Sequence, residues 1–391
     1  MILAPEARQT EPVSSSVQQS SRPQTLRRRL VRLAERATTP LLPADYLDLF
    51  DPLRPGADLR GRIVSIQSET ADAATLLIRP GADWAGHVPG QYVRIGVDVD
   101  GVRQWRAYSL THGPLTGTRA DQQISITVKA VPDGAVSQHL VHRARPGTLV
   151  HLEQAAGDFV LPADGGRFLF VTAGSGITPV IGMLRNLFPV TDAGVVRPDR
   201  SSPFDIVVVH LAPSAPVSIF ATDLSALHDA GAIRLVTNHT DIDGSFDVER
   251  LAELVPDIAE RETFACGPAG LLDALQAHHA DRGLPLQIEQ FRANRVAVGD
   301  GGTVTFTGCG TEVSSDAGTP ILDATEAAGV LMPSGCRMGI CFGCVLPLRS
   351  GAVRDLRNGE LTTANPGETT GRGVLVQTCI SAAAGAAEFD H

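Results

Sequence analysis

Three cysteines fall in one short stretch, Ser334-Gly335-Cys336-Arg337-Met338-Gly339-Ile340-Cys341-Phe342-Gly343-Cys344, and Cys379 follows 35 positions after the last of them. Four thiolates spaced C-x4-C-x2-C…C are the donor set of a plant-type [2Fe–2S] cluster. A tight loop must gather three sulfurs around one small centre. Gly335, Gly339 and Gly343 are therefore expected to let the backbone bend and turn N–H groups toward the sulfurs, hydrogen bonds that tune the reduction potential. The competing readings are a zinc site and structural thiols. Zinc-binding cysteines usually come as paired C-x2-C knuckles, and the sequence has no second knuckle. A one-electron centre needs a source of electrons, which the rest of the chain is expected to hold.

Arg106-Ala107-Tyr108-Ser109 offers within four residues what a flavin needs. A cation suits its phosphates, an aromatic covers its ring, and a hydroxyl can stand near the reactive ring nitrogen. An exposed strand could carry the same residues with no ligand at all. Ile126-Thr127-Val128-Lys129 ends a strand, and Gly134-Ala135-Val136-Ser137 opens a helix expected to run through Leu140. Ser137 and free helix N–H groups there would face a pyrophosphate, which favours FAD over FMN; the alternative is an ordinary helix cap. In Ala173-Gly174-Ser175-Gly176-Ile177-Thr178-Pro179 the glycines permit close approach of a dinucleotide pyrophosphate. Thr178 is expected to cap the helix that Pro179 starts. Cys266-Gly267-Pro268-Ala269 also stands where a buried strand hands over to a helix. Cys266 is either a small core thiol or a neighbour of a nicotinamide. Cys309 belongs to no motif and is expected to be structural.

The elements that must position these residues read as three domains. Residues 59–163 carry short alternating runs at 61–66, 74–78, 91–97, 124–128 and 149–153, separated by Gly, Pro and Asp turns, which suggests a small six-stranded antiparallel β-barrel. Residues 164–292 alternate buried strands (168–172, 204–210, 232–236, 262–265) with helices (180–188, 246–254, 269–282), the pattern of an α/β domain on a parallel sheet. A Gly-rich linker, 293–302, leads to the cluster domain, 303–391. There, 303–306 and 311–315 form a hairpin, Thr319 caps a helix with Pro320 at its first position, and Gly329 closes it. Ahead of all this, 1–25 is a Ser/Gln-rich tail expected to be disordered, and 26–58 is a basic helical extension. Leu26, Leu30 and Leu33 recur there at helical spacing among five arginines within 26–37. That stripe either packs on a neighbouring domain or meets an anionic membrane surface or acidic partner.

Composition narrows the function classes. A formal charge of −10 argues against nucleic-acid binding, and Lys129 is the only lysine. No apolar stretch is long enough to span a bilayer and no leader-like run opens the chain, so a cytoplasmic protein is expected, with cysteines read as redox or metal ligands before disulfides. Scattered histidines, including His139, His142, His278 and His279, read as surface residues.

Taken in order, these motifs resemble the ferredoxin-NADP reductase superfamily with a fused C-terminal plant-type, β-grasp ferredoxin domain. The resemblance covers about residues 59–391. It implies that Arg106, Tyr108 and Ser109 bind flavin, and that Val128, Lys129, Gly134, Val136 and Ser137 hold its phosphates and neighbouring groups. It also implies that Gly174, Gly176, Thr178 and Pro179 border nicotinamide and pyrophosphate, while Cys266, Gly267 and Pro268 lie near the hydride-transfer position. Ser109 and Cys266 are thus the candidate catalytic residues. Glu289-Gln290-Phe291 resembles the segment that packs near the flavin ring, and Cys336, Cys341, Cys344 and Cys379 are the implied metal ligands. Phe342 stands where such cluster loops commonly have smaller residues, and 212–216 has no arginine to clamp a 2′-phosphate, which leaves NADPH and NADH both open. The segment Leu41-Leu42-Pro43-Ala44-Asp45-Tyr46 is similar to bacterial electron-transfer partners of membrane stearoyl-CoA-type desaturases.

The mechanism so implied is a two-to-one electron converter: hydride from NAD(P)H to FAD near Ser109, then single electrons to the cluster and on to an acceptor protein. That acceptor is a membrane acyl-CoA desaturase on one reading, reached from the inner face of the membrane through 26–37. On a second it is an oxygenase acting on aromatic or alkyl substrates. A redox-sensing regulator without turnover is the third.

Overall fold

The computed structural model describes residues 43–99, 101–111, 123–132, 134–191, 194–195, 203–291, 300–335, 337, 339, 342–365 and 373–391. The tail and the basic stripe at 26–37 lie outside the described residues, as does most of the 293–302 linker. The chain divides into two units, Met1–Pro52 and Leu53–His391. Among the described residues of the first, one helix, Pro43–Phe50, leaves Leu47, Leu49 and Phe50 exposed.

The second unit starts with six strands: β1 (Arg60–Thr70), β2 (Ala73–Pro80), β3 (Tyr92–Val99), β4 (Val102–Ser109), β5 (Ile124–Lys129) and β6 (Leu149–Leu152). They form an antiparallel sheet in the order β4-β3-β6-β1-β2-β5. A bridge between Leu110 and Ile126 brings its two edges together, so the sheet closes as a barrel. Strand alternation fills the interior: Val93, Ile95, Val97 and Val99 of β3 point inward with Leu76, Ile78, Ile126 and Val128.

Next come β7 (Gly166–Ala173), a short β8–β9 hairpin (Val190–Thr191, Gly194–Val195), β10 (Phe204–Ala212), β11 (Arg234–His239), β12 (Glu262–Cys266) and β13 (Leu286–Glu289). A parallel sheet runs β11-β10-β7-β12-β13. Chain order reverses between β7 and β12, so the crevice beyond their carboxyl ends is the topological switch point where such sheets bind ligands. The helix Thr178–Leu187 presses onto the barrel at Gly182, where an added Cβ would stand 2.2 Å from the Leu110 carbonyl oxygen. Only glycine permits that approach.

Two readings of this region change. His278 and His279 are buried, at 3% and 1% exposure, rather than at the surface. They share the inner face of the helix Ala269–Arg282 with Leu272 and Leu275, and His279 Nε2 lies 3.0 Å from Thr263 Oγ1 on β12. Residues 286–289, to which sequence reading assigned no element, add a fifth parallel strand.

The last region holds β14 (Gly302–Phe306), β15 (Thr311–Ser315), β16 (Val345–Asp355), β17 (Leu361–Ala364), β18 (Val374–Gln377) and β19 (Ser381–Phe389). The mixed sheet runs β15-β14-β19-β16-β17 with β18 also on β16, and β14 is parallel to β19. The helix Ile321–Ala327 packs Ile321 and Leu322 into its core beside Phe306 and Phe389, the β-grasp arrangement. Pro320 is the residue before this helix, not its first residue, and the Thr319 hydroxyl donates to Asp316 instead of capping it. Gly329, at φ +84°, ends it in the left-handed conformation. Cys309 is not structural but exposed in the β14–β15 turn.

Candidate functional site

All three regions converge on one cavity of about 630 Å³. Strand β4 ends in its wall with Arg106, Tyr108 and Ser109, and β5 contributes Thr127 and Lys129. Alternation turns Val128, between those two, into the barrel core, so its side chain does not line the cavity. Gly134, Val136 and Ser137 border the cavity beyond β5. Their helix is one α-turn, Ala135–Gln138, that continues as a wider π-turn through Arg143. The Ser137 hydroxyl donates to the Gly134 carbonyl and accepts from the Val131 N–H, so its role is to shape this turn. Lys129 stands 3.4 Å from Asp72.

Ser109 is 3% exposed, and its Oγ has no hydrogen-bond partner among the described residues. Burial raises the Tyr108 phenol above its ordinary range, so it stays protonated. A buried hydroxyl without a partner beside a protonated phenol and two cations suits a polar, planar, anionic ligand. These residues fit a flavin nucleotide.

Facing β4 are the carboxyl ends of the parallel sheet. After β7 the chain enters a 3₁₀ turn at Gly174–Ile177, so the helical path starts four residues before Thr178. Thr178 and Pro179 are the first two residues of the α-helix, and the Thr178 hydroxyl donates back to the Ser175 carbonyl instead of capping. Ser175 and Thr178 line the cavity; Gly174 and Gly176 stand behind them. Gly174 has φ +55° with open space where a Cβ would go. At Gly176 a Cβ would lie 2.0 Å from the Cys266 carbonyl oxygen, so this glycine lets the loop after β7 rest on the loop after β12. Cys266 is fully buried, and burial together with Glu289 drives its thiol well above the ordinary range. Gly267 packs against Ala173, and Pro268 is the residue before the helix Ala269–Arg282.

Glu289, at the end of β13, enters the cavity with Gln290 and Phe291. Its Oε2 is sealed from solvent without a hydrogen-bond partner among the described residues, and burial pushes the carboxyl up to about 8. Sequence reasoning singled out this segment but not the acid. Its isolation comes from β13, a strand that sequence reading did not find.

The ferredoxin-like region supplies the remaining wall: Asp323, Arg337 and Cys379. Cys379 and Cys344 are 5% and 1% exposed, and contact with the Cys379 thiol pulls the Cys344 thiol down to about 6 against the effect of burial. Two paired thiols, one inclined to ionise, are half of a soft donor set suited to iron and sulfide. Cys336 and Cys341, the other half, lie outside the described residues. In the loop, Gly339 has φ +75° as expected, but the other left-handed residues are Arg337 (+61°) and Phe342 (+58°), not Gly335 or Gly343. Such a conformation costs a non-glycine residue about 1 kcal/mol or more. Arg337 offsets this by pairing with Asp323 at 2.8 Å and Glu326 at 2.5 Å. Phe342 remains 68% exposed.

Comparisons with known proteins agree with this geometry. Residues 62–161 match an oxidoreductase FAD-binding domain and residues 304–384 a 2Fe-2S iron-sulfur cluster binding domain. An NADPH oxidoreductase of Mycobacterium tuberculosis is 45% identical over 92% of this chain and 92% of its own length. The chain belongs to the ferredoxin-NADP reductase superfamily, in the group with a C-terminal [2Fe–2S] domain. It is an NAD(P)H-dependent oxidoreductase whose cofactors are FAD and a [2Fe–2S] cluster. At 29% identity stand the glycine betaine monooxygenase reductase subunit of Pseudomonas aeruginosa, over 66% of this chain and 75% of that one, and the ferredoxin reductase component of the 3-ketosteroid-9-alpha-monooxygenase of M. tuberculosis, over 67% and 74%. The structure of phthalate dioxygenase reductase, 21% identical, superposes with a TM-score of 0.59 over 85% of this chain and 97% of that one, a likeness of fold. Among the described residues no helix of this reductase is long and apolar enough to cross a membrane.

Proposed function

We propose that this reductase takes electrons from NADPH through FAD in the barrel-side cavity to the cluster, and passes them to a membrane fatty acyl-CoA desaturase. The observation that supports the intramolecular path is the position of Cys379: this cysteine, proposed as a cluster ligand, stands in the wall of the cavity that also holds Arg106, Tyr108 and Ser109. When bound, FAD supplies hydride acceptance and the cluster supplies one-electron transfer. The chain's own residues do the rest. Arg106 and Lys129 offer positive charge to the flavin phosphates, with the one-turn helix at Gly134, Val136 and Ser137 closing around them. Tyr108 covers the ring, and the unpartnered Ser109 Oγ offers a hydrogen bond to its reactive edge. Ser175 and Thr178 border the nicotinamide, with Gly174, Gly176, Pro179, Gly267 and Pro268 shaping the loops that hold it. Cys266 stays a neutral thiol behind this site, and Phe291 closes the cavity on the solvent side. Cys336, Cys341, Cys344 and Cys379 hold the cluster.

The desaturase rests on the likeness of residues 41–46 and on the basic stripe at 26–37, which suits an anionic cytoplasmic membrane face. The names of the more distant relatives favour an oxygenase as the second reading of the acceptor. An anaerobic absorbance titration of the purified protein with NADPH, and separately with NADH, tests the path. Flavin bleaching followed by loss of the cluster bands is expected, at lower concentration with NADPH. Flavin bleaching alone would sever the path at the cluster. Steady-state turnover with desaturase-containing vesicles or with a soluble oxygenase then separates the acceptors.

A further inference from the structure

Two arginines from different parts of the molecule meet at one buried carboxylate. Asp323 and Glu326 stand three residues apart on the helix Ile321–Ala327, so both carboxylates leave the same face of it. Arg337, in the cluster loop one residue after Cys336, takes both, its Nη1 on Asp323 and its Nη2 on Glu326. Arg106, from barrel strand β4, places Nη1 3.6 Å from the other Glu326 oxygen while donating to the Trp105 carbonyl at 2.8 Å. Glu326 is only 5% exposed. A charge so buried is stable only if paired, and here its partners are the flavin-site cation on one side and the cluster loop on the other.

A second clasp runs alongside. Arg94 of β3 donates from Nη1 to both carboxylate oxygens of Glu153 and extends Nη2 to Ser334 Oγ at 3.1 Å, two residues before Cys336. The loop is thus tied to the barrel directly at Ser334, through Arg94, and indirectly at Arg337, through the Glu326 that Arg337 shares with Arg106.

We infer that Glu326 is a positioning residue linking occupancy of the flavin site to the setting of the cluster loop. It does not line the cavity; it stands behind Asp323 and Arg337, which do. A phosphate in the cavity draws on the positive charge of Arg106 and weakens that residue's hold on Glu326. The carboxylate is then left to Arg337, and the loop is held more firmly. By reciprocity, a firmly held loop favours an occupied flavin site. The linkage rests on the flavin occupying this cavity, as proposed above, and has its own readout.

The test is the rate at which a chelator strips iron from the full-length protein, followed by loss of cluster absorbance, before and after FAD is added to flavin-depleted enzyme. In the wild type FAD should slow iron loss by about fivefold or more, the lower end of typical site-to-site coupling. In Glu326→Gln the protection should shrink to within about twofold, with the cluster spectrum and NADPH–ferricyanide activity at saturating FAD kept. Full protection in Glu326→Gln, or none in the wild type, would overturn the linkage. If Glu326→Gln does not accumulate folded, Arg337→Lys, which keeps the charge and loses the two-pronged geometry, should lose protection in the same way. Failure of FAD to bind or to bleach with NADPH would strike the functional reading instead.

Discussion

At the residue scale, the acid and the thiols of the site have opposite fates that follow from burial and neighbours. Glu289 keeps its proton in the fold up to about pH 8, whereas an ordinary glutamate loses it near 4.5. Between those values the folded chain binds one more proton than the unfolded chain, so this residue makes stability fall as pH rises through the window. Melting temperatures of flavin-depleted protein from pH 5 to pH 8 should therefore drop more steeply for the wild type than for Glu289→Gln; parallel slopes would show that the carboxyl is ionised. Cys266 is fully buried with its thiol raised, while Cys309 is exposed with its thiol lowered by hydrogen bonding to Thr311. A maleimide reagent on the cluster-loaded enzyme should label Cys309 first and leave Cys266 intact, as peptide mapping would report. The cluster cysteines permit a cleaner separation. Cys341→Ser should abolish the cluster signal yet leave NADPH–ferricyanide activity within about twofold, since that reaction needs only the flavin side. Loss of both would mean that the two centres do not form independently.

At the element scale, two glycines of one loop should behave differently. Gly176→Ala puts a methyl group into the Cys266 carbonyl, backbone against backbone, and should cost roughly 3 kcal/mol by urea melts, the upper end of overpacking. Gly174→Ala meets open space and only strains a φ of +55°, so about 1 kcal/mol is expected. Equal losses would mean that the loops after β7 and β12 do not rest on one another. Most of these elements were legible because their signals are local. Alternation marked five of the six barrel strands, Thr-Pro and Gly marked helix ends to within a residue or two, and cysteine spacing marked the cluster loop. What stayed hidden depends on distant partners. Nothing near Glu326 or Arg337 in the sequence says that they share a buried pair with Arg106. The isolation of Glu289 requires a fifth strand that lacks a strong apolar pattern. His279 was readable in principle, since Leu272, Leu275 and His279 form one helical stripe, but the polar neighbours of His278 and His279 suggested a surface. Val128 shows the opposite limit: the strand was found, and its alternation, followed strictly, turns that residue into the core.

At the scale of the whole molecule, the proposed function assigns the electron path and the acceptor contact to different units of the chain. The residues that line the cavity, the loops after β7 and β12, and Cys344 and Cys379 all belong to Leu53–His391. The first unit carries the arginine-rich sequence at 26–37 and the exposed Leu47, Leu49 and Phe50 of its helix, features that suit an anionic membrane surface. Removing residues 1–45 should leave NADPH-dependent cytochrome c reduction within about twofold of the full chain, because the residues that line the cavity, with Cys344 and Cys379, all lie beyond the deletion. Coupling to a desaturase in anionic vesicles should fall about tenfold or more, since each basic residue near such a surface contributes about 1 kcal/mol. Raising the salt should weaken the coupling of the full chain toward that of the truncated one, because charge attraction to the vesicle is screened within about 10 Å at 0.1 M ionic strength. Unchanged coupling after truncation would assign acceptor choice to the ferredoxin-like domain itself, with the exposed Phe342 beside the cluster as the next residue to replace.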